Sequence, residues 1–320
     1  VLWLGGRQVI GGTMEIGALS SFITYIMQIL MSLMMLSFLF VSFVMAKASI
    51  ARICEVLDEE PEIESPRQAE TKVADGSVVF DHVGFSYTGD KSNLTLTDIN
   101  CAIRAGETIG VIGGTGSAKS TLVSLIPRLY DVTCGRVLVG GRDVREYDIH
   151  ALRDQVAMVL QKNVLFSGSI KENLRWGDAN ATDAEITAAC QASAADEFVR
   201  ALPGGYDMDL GQGGVNVSGG QKQRLCIARA LLKKPKIIIF DDATSAVDTA
   251  TDARIRAALR DTMPETTKII IAQRITSVMD ADRIIVLNDG QIVDMGAHDE
   301  LMARCEIYRE VYTSQQKGVA

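Results

Sequence analysis

One glycine-rich stretch carries the residue types that bind a nucleoside triphosphate. It reads Gly113, Gly114, Thr115, Gly116, Ser117, Ala118, Lys119, Ser120, Thr121. An apolar run (108–112) precedes it and a segment with helical features (122–129) follows. In a strand–turn–helix of this kind, backbone N–H groups can surround phosphate oxygens. Lys119 can reach the β- and γ-phosphates and Ser120 can hold Mg²⁺. The stretch departs from the pattern G-x-x-x-x-G-K-[ST] at Ala118, where the pattern has glycine.

Other residues could complete such a site. The apolar segment 237–240 ends at Asp241, and a carboxylate at a strand tip can hold the Mg²⁺ shell. Gln161 ends a second strand-like segment and could contact the metal or a water. Residues 217–221 begin a helix with small side chains, and a helix N-terminus attracts anions. Tyr87 has a ring that could stack on a base.

Composition limits the classes of partner. The formal net charge is −8, which argues against nucleic acid as the main partner. The six cysteines are scattered without a C-x-x-C pair, so we expect free thiols in a reducing compartment. The three histidines are far apart, and we expect no metal site built on them. The first residue is Val1 inside an apolar stretch, which indicates the C-terminal portion of a longer protein.

A long apolar segment predicts a membrane helix. Residues 16–46 contain no charged side chain, and a spanning helix needs only about 20 such residues. We expect the helix to continue to Leu57, with an earlier spanning segment ending at 1–6 and an outer loop at 7–15. Lys47 and Arg52 place the C-terminal end in the cytoplasm, although Arg7 works against this orientation. A buried helix of a large soluble protein and a signal peptide are the alternatives.

The remaining chain alternates strand and helix patterns after an acidic, proline-containing segment. We expect the end of a transmembrane region at 1–57, a linker at 58–75 and a nucleotide-binding domain at 76–320. The alternation indicates an α/β core with a mainly parallel sheet. A hairpin turn is predicted at 288–291, because Asp-Gly can take positive φ angles. The predicted strands are 77–85, 108–112, 136–139, 156–160, 236–240, 268–271 and 283–287. The predicted helices are 119–129, 182–193, 219–232, 249–259 and 299–303.

Taken together, these motifs in this order resemble the ATP-binding cassette (ABC) exporter family. The resemblance covers the last transmembrane helix, the linker and the nucleotide-binding domain. It identifies residues 113–121 as the Walker A loop, 237–241 as the Walker B strand and 217–221 as the signature. It also identifies Gln161 as the Q-loop residue, residues 245–248 as the D-loop and Tyr87 as the aromatic that stacks on adenine.

The resemblance implies a fold, a cofactor and a set of ligands. The fold is an α/β P-loop nucleoside triphosphatase with a helical subdomain, preceded by a long transmembrane helix. The cofactors are ATP and Mg²⁺, the metal ligands are Ser120, Gln161 and Asp241, and the catalytic residues are Asp242, Gln273 and Gln161. Nucleotide contacts fall on Tyr87, residues 113–121, Ser218, Gly219, Gly220 and Gln221.

The resemblance also implies how the protein works. Two such domains dimerise head to tail, with each ATP between one Walker A loop and the other chain's signature. ATP favours the closed pair, which is the physical requirement for driving a conformational change. The implied location is the cell membrane, as a multi-pass protein with its nucleotide-binding domain in the cytoplasm. The implied partners are a second half-transporter, membrane lipid and a transported small molecule, with amphipathic multidrug-type cargo favoured, and no nucleic acid.

Three departures from the family concern catalysis. Asp242 stands where the family has the glutamate that orients the attacking water, and Gln273 stands where it has a histidine. A carboxylate withdrawn by about 1 Å can reduce the rate roughly a hundredfold. Glutamine can hydrogen-bond a phosphate but cannot become cationic. With Ala118, these residues predict a site that holds ATP and hydrolyses it slowly, in one half of a heterodimeric exporter. Ser218, Gly219 and Gly220 would complete the partner's active site.

Other functions remain open on the same residues. Ordinary sequence drift would give a homodimeric exporter in which Asp242 is a slow base. An impaired site also fits a nucleotide-gated regulatory membrane subunit that never pumps. A soluble cassette ATPase of translation or DNA repair is a third class, and the apolar segment 16–46 argues against it.

Overall fold

The protein divides into two compact units in this computed structural model. The structure describes residues 1–243 and 247–317. The first unit is Val1–Glu62, and the second begins at Ile63. The boundary falls within the segment that we expected to be a linker.

The first unit consists of two helices, α1 (Leu2–Ile10) and α2 (Ile16–Leu57). The 42 residues of α2 would extend roughly 63 Å at the usual helical rise. None of them is buried in the structure. Within the described residues, α2 is the one helix long and apolar enough to cross a membrane. α1 runs to Ile10, so the first part of the expected outer loop is helical.

The second unit contains ten strands and nine helices within its described residues. The strands are β1 (Val78–Phe85), β2 (Leu96–Ile103), β3 (Thr108–Ile112), β4 (Cys134–Val139), β5 (Arg142–Asp143), β6 (Val156–Val159), β7 (Ile237–Asp241), β8 (Thr267–Ile271), β9 (Arg283–Asn288) and β10 (Gln291–Gly296). The helices are α3 (Lys119–Ser124), α4 (Ile149–Gln155), α5 (Ile170–Arg175), α6 (Asp183–Ala192), α7 (Asp196–Ala201), α8 (Gly219–Leu232), α9 (Thr249–Thr262), α10 (His298–Arg304) and α11 (Glu306–Lys317).

Two sheets organise these elements. The larger sheet has the order β10-β9-β3-β8-β7-β6, and it is parallel except for the β9–β10 hairpin. The smaller sheet is antiparallel in the order β2-β1-β4-β5. Strands such as β8 are buried along their whole length, as expected of parallel strands covered on both faces. The predicted α/β fold with a mainly parallel sheet is confirmed.

The fold brings together the strand ends that carry or precede several predicted site residues. β3, β8 and β7 are adjacent and parallel, so their carboxyl ends meet at one edge of the sheet. Ligands of open α/β sheets bind at this edge. The phosphate-loop candidate follows β3, Asp241 ends β7, and Gln273 follows β8.

The beginning of the second unit is held against its core. The Ser65 hydroxyl donates to the Asp148 carboxylate over 3.1 Å and accepts from the Ile149 N–H over 2.9 Å. Lys236 Nζ donates to the Val73 carbonyl over 2.5 Å, and Val73 is buried. Residues from 63 to 75 are thus part of the packed unit, although the acidic composition upstream favoured a linker.

Candidate functional site

The loop between β3 and α3 has the backbone form expected of a phosphate-binding turn. Gly116 has φ = 82°, and a Cβ at Gly113 would lie 2.1 Å from the Leu287 carbonyl oxygen. Only glycine permits this close approach. Lys119 Nζ donates to the carbonyls of Gly113 over 3.0 Å and Gly114 over 2.8 Å, which holds the ammonium group on the loop. Burial lowers the pKa of Lys119, and the carboxylates of Asp241 and Asp242 oppose that shift.

Ala118 adopts the left-handed conformation that the motif assigns to glycine. It precedes the first residue of α3 with φ = 67° and ψ = 25°. An L-residue with a Cβ is disfavoured there by roughly 1–2 kcal/mol. The alanine therefore keeps the loop geometry at the expense of local strain.

Two predicted metal ligands lie side by side. The Ser120 hydroxyl donates to Asp241 Oδ1 over 2.9 Å, which joins the start of α3 to the end of β7. A hydroxyl and a carboxylate beside a phosphate loop are the oxygen ligands that suit Mg²⁺, which takes one or two protein ligands and the substrate phosphates. The residues present therefore fit the implied ion. Gln161, the third predicted metal ligand, instead hydrogen-bonds Asp242.

The three predicted catalytic residues converge on one carboxylate. Asp242 Oδ2 accepts from Gln161 Nε2 over 3.1 Å and from Gln273 Nε2 over 2.6 Å. Asp242 is 9% exposed and has φ = 50°. Burial raises the pKa of Asp242, and the charge of Asp241 adds to this, whereas both amide donors lower it. The arrangement is a desolvated carboxylate that could orient a water next to the phosphate loop.

Tyr87 lies at the end of the phosphate loop. Its hydroxyl is 2.9 Å from Thr121 Oγ1. Its ring contacts Phe85 edge-on at 4.8 Å and Tyr130 edge-on at 5.2 Å, measured between centroids. Tyr87 is 57% exposed, so part of its ring is available to a base. Sequence reasoning missed Tyr130, because a single aromatic residue outside a motif gives no signal.

The signature residues form the start of α8. The Ser218 hydroxyl accepts from the Gln221 N–H over 3.3 Å, and the Gln221 side chain accepts from the Ser218 N–H over 2.8 Å. This reciprocal capping box fixes the helix start. A Cβ at Gly219 would meet open space, which leaves its backbone accessible. In the described residues, Ser218 and Gln221 bond each other and not the phosphate loop, so they form a second surface.

The predicted D-loop is only partly described. Ser245 and Ala246 lie outside the described residues. Asp248 caps α9 by accepting from the Thr251 N–H over 2.9 Å.

Comparison with known proteins shows which proteins this chain is similar to. A sequence model of the ABC transporter family matches residues 96–245. An uncharacterised ABC transporter ATP-binding protein of Bacillus subtilis, YfiB, is 41% identical over 318 residues, which are 98% of this chain and 54% of YfiB. YgaD of Bacillus subtilis is 40% identical over 316 residues and covers the same shares. Its name describes it as a multidrug export ATP-binding/permease protein.

A solved structure has the same fold. It is a bacterial Atm1-family ABC exporter with ATP bound, and it matches with a TM-score of 0.85 and 34% identity. The match covers 95% of this chain and 53% of that chain. The present chain therefore spans about half the length of the relatives it matches.

Proposed function

We propose that this chain contains an ABC transporter ATP-binding domain and is the ATP-hydrolysing part of a membrane export half-transporter. One observation carries the proposal: the Ser120–Asp241 pair and the Asp242 carboxylate meet at the end of the phosphate loop. An adenine near Tyr87 and a triphosphate along residues 113–121 would place the terminal phosphate beside these groups. The long apolar α2 supports a location in the cell membrane.

Each side chain has a distinct part in the proposed reaction. Lys119 and the loop N–H groups bind and orient the phosphates. Ser120 and Asp241 would hold Mg²⁺, which neutralises phosphate charge when it is bound. Asp242 orients the attacking water, and Gln273 fixes the direction of that carboxylate.

We further propose that hydrolysis at this site is slow and that the partner half-transporter is non-identical. The Asp242 side chain is one methylene shorter than that of glutamate. The side-chain amides of Gln161 and Gln273 both donate to the same oxygen, Oδ2. Gln273 has no cationic form with which to stabilise phosphate charge. The accessible Gly219 backbone at the start of α8 supports a competent signature that serves the partner's ATP. The transported molecule is proposed to be an amphipathic small molecule, by analogy with the name of YgaD.

The test is the ATPase activity of the complete half-transporter in lipid nanodiscs, alone and with its neighbouring half-transporter. We expect turnover to be low alone and to rise at least tenfold with the partner. The double variant Asp242→Glu with Gln273→His should raise hydrolysis at this site, while Lys119→Ala should abolish it. Rapid turnover by the wild-type chain alone would contradict the heterodimer and favour a homodimeric exporter. ATP-dependent uptake into inverted vesicles distinguishes a pump from a regulatory subunit.

A further inference from the structure

We infer that Gln315 of α11 is a positioning residue that sets the Gln273 side chain against Asp242. The inference deepens the proposed ATPase function and rests on it. It assigns a part in hydrolysis to the C-terminal helix, which carries none of the recognised motifs.

The side chain of Gln315 bridges two backbone groups of the loop that follows β8. Its Oε1 accepts from the Ile275 N–H over 2.9 Å, and its Nε2 donates to the Gln273 carbonyl over 2.7 Å. One side-chain amide therefore satisfies a donor and an acceptor two residues apart, as a paired strand would. Both bonds fix the backbone from which the Gln273 side chain projects.

Gln273, which Gln315 holds by its carbonyl, also contacts the catalytic carboxylate of Asp242. The side chain of Gln273 donates to Asp242 Oδ2 over 2.6 Å. The path from α11 to Asp242 thus consists of two hydrogen bonds in series and one side chain. A shift of the loop by about 1 Å would break the second bond, and catalytic geometry is sensitive to displacements of that size.

The two helices around the loop are each held in place by contacts of their own side chains. In α11, Tyr308 is fully buried, and its hydroxyl lies 2.8 Å from His298 Nδ1. On the other side, Arg256 of α9 donates to Asp280 Oδ2 over 2.8 Å and to the Thr276 carbonyl over 3.4 Å. Arg256 anchors the far end of the loop, whereas Gln315 contacts the residue that carries the catalytic amide. Of these two side chains, Gln315 is therefore the one that bonds the residue carrying the catalytic amide.

The test compares Gln315→Met with Gln316→Met in the complete transporter in nanodiscs, with the partner half-transporter's own Walker A loop inactivated so that the measured turnover comes from this site. Methionine keeps the length of the side chain and removes both hydrogen bonds, and Gln316 is an exposed neighbour of the same type. We expect Gln315→Met to lower kcat about five- to tenfold, the value of one or two net hydrogen bonds. The KM for MgATP should change less than twofold, and Gln316→Met should match the wild type.

A double-mutant cycle separates positioning from general stability. If Gln315 acts through Gln273, Gln315→Met should lower kcat no further in a Gln273→Ala background. Equal losses in both backgrounds would overturn the inference, as would unchanged kcat in Gln315→Met. Should Gln315→Met fold poorly, Gln315→Glu keeps the acceptor for Ile275 and loses the donor to Gln273, and the same cycle applies. A wild-type transporter without measurable hydrolysis would instead overturn the proposed function itself.

Discussion

Two residues at the site adopt a backbone conformation that side chains usually avoid. Ala118 has φ = 67° and Asp242 has φ = 50°. Aspartate visits this region more readily than most residues, whereas alanine has no polar group that compensates. The strain thus comes from the alanine side chain at position 118, because glycine would adopt the same loop conformation without it.

Replacement of Ala118 by glycine should stabilise the protein. Glycine removes the left-handed penalty, and its greater unfolded-state entropy offsets part of the gain, which leaves about 0.5–1 kcal/mol. Chemical denaturation of the second unit measures this difference. Ala194→Gly tests the same argument at a second alanine, since Ala194 has φ = 55° away from the phosphate loop. It should also stabilise the protein. Ala188→Gly, in the interior of α6, should instead lower stability by about 1 kcal/mol. A loss of stability in Ala118→Gly would refute the strain argument.

Sequence reasoning identified the groups of the site better than their geometry. It assigned Lys119 to the phosphates and Ser120 and Asp241 to one Mg²⁺ ion, and the structure places these residues together at one edge of the sheet. The sign of φ at Ala118 depends on the closed loop around it and cannot be read from residue types. Gln315 was missed, since no sequence pattern distinguishes a glutamine that bridges backbone groups from one whose side chain is solvated.

At the scale of elements, local signals decided which predictions succeeded. α8 matches its predicted bounds because a capping box starts it and Pro235 follows it. α4, α5 and α7 have only six or seven residues, too few to show a helical period. β2 alternates between buried and exposed residues, with Asp98 and Asn100 on its exposed face, and the sequence analysis overlooked this period-two pattern. The helix predicted at 119–129 ends at Ser124 and continues as turns, close to Pro127.

The role of Ser218 in capping α8 and its proposed role in binding nucleotide can be tested separately. Ser218→Ala should lower stability by about 1 kcal/mol through loss of the cap, and Ser218→Asp should retain the cap. The aspartate would nevertheless repel an anion at the helix start, so ATPase activity of the assembled transporter should fall sharply in Ser218→Asp at unchanged stability. Thr182→Ala removes the equivalent cap of α6 and should cost stability without a loss of turnover. Full activity in Ser218→Asp would exclude Ser218 from the nucleotide site.

At the scale of the whole molecule, the two units expose different kinds of surface. α2 exposes its apolar side chains along its length, whereas the second unit buries its apolar strands. Apolar surface on this scale is stable in lipid and not in water.

Expressed as residues 1–320, the chain should remain in the membrane fraction after carbonate extraction. Leu36→Lys with Phe40→Lys should release it, since each lysine at mid-bilayer opposes insertion by roughly 3 kcal/mol. Phe40→Leu with Leu36→Phe keeps the apolar character and serves as the control. Release of the wild-type chain by carbonate would exclude a spanning α2.

The charges of Lys119 and the two neighbouring carboxylates also bear on which ionic form of a ligand can approach the loop. Lys119 contributes one positive charge and faces the two carboxylates of Asp241 and Asp242, so the three groups sum to one negative charge. A free triphosphate brought to this place would meet a net repulsion. A divalent ion carried in with the phosphates reverses that sum. By charge alone, these groups would favour the magnesium complex of a nucleotide over its bare form.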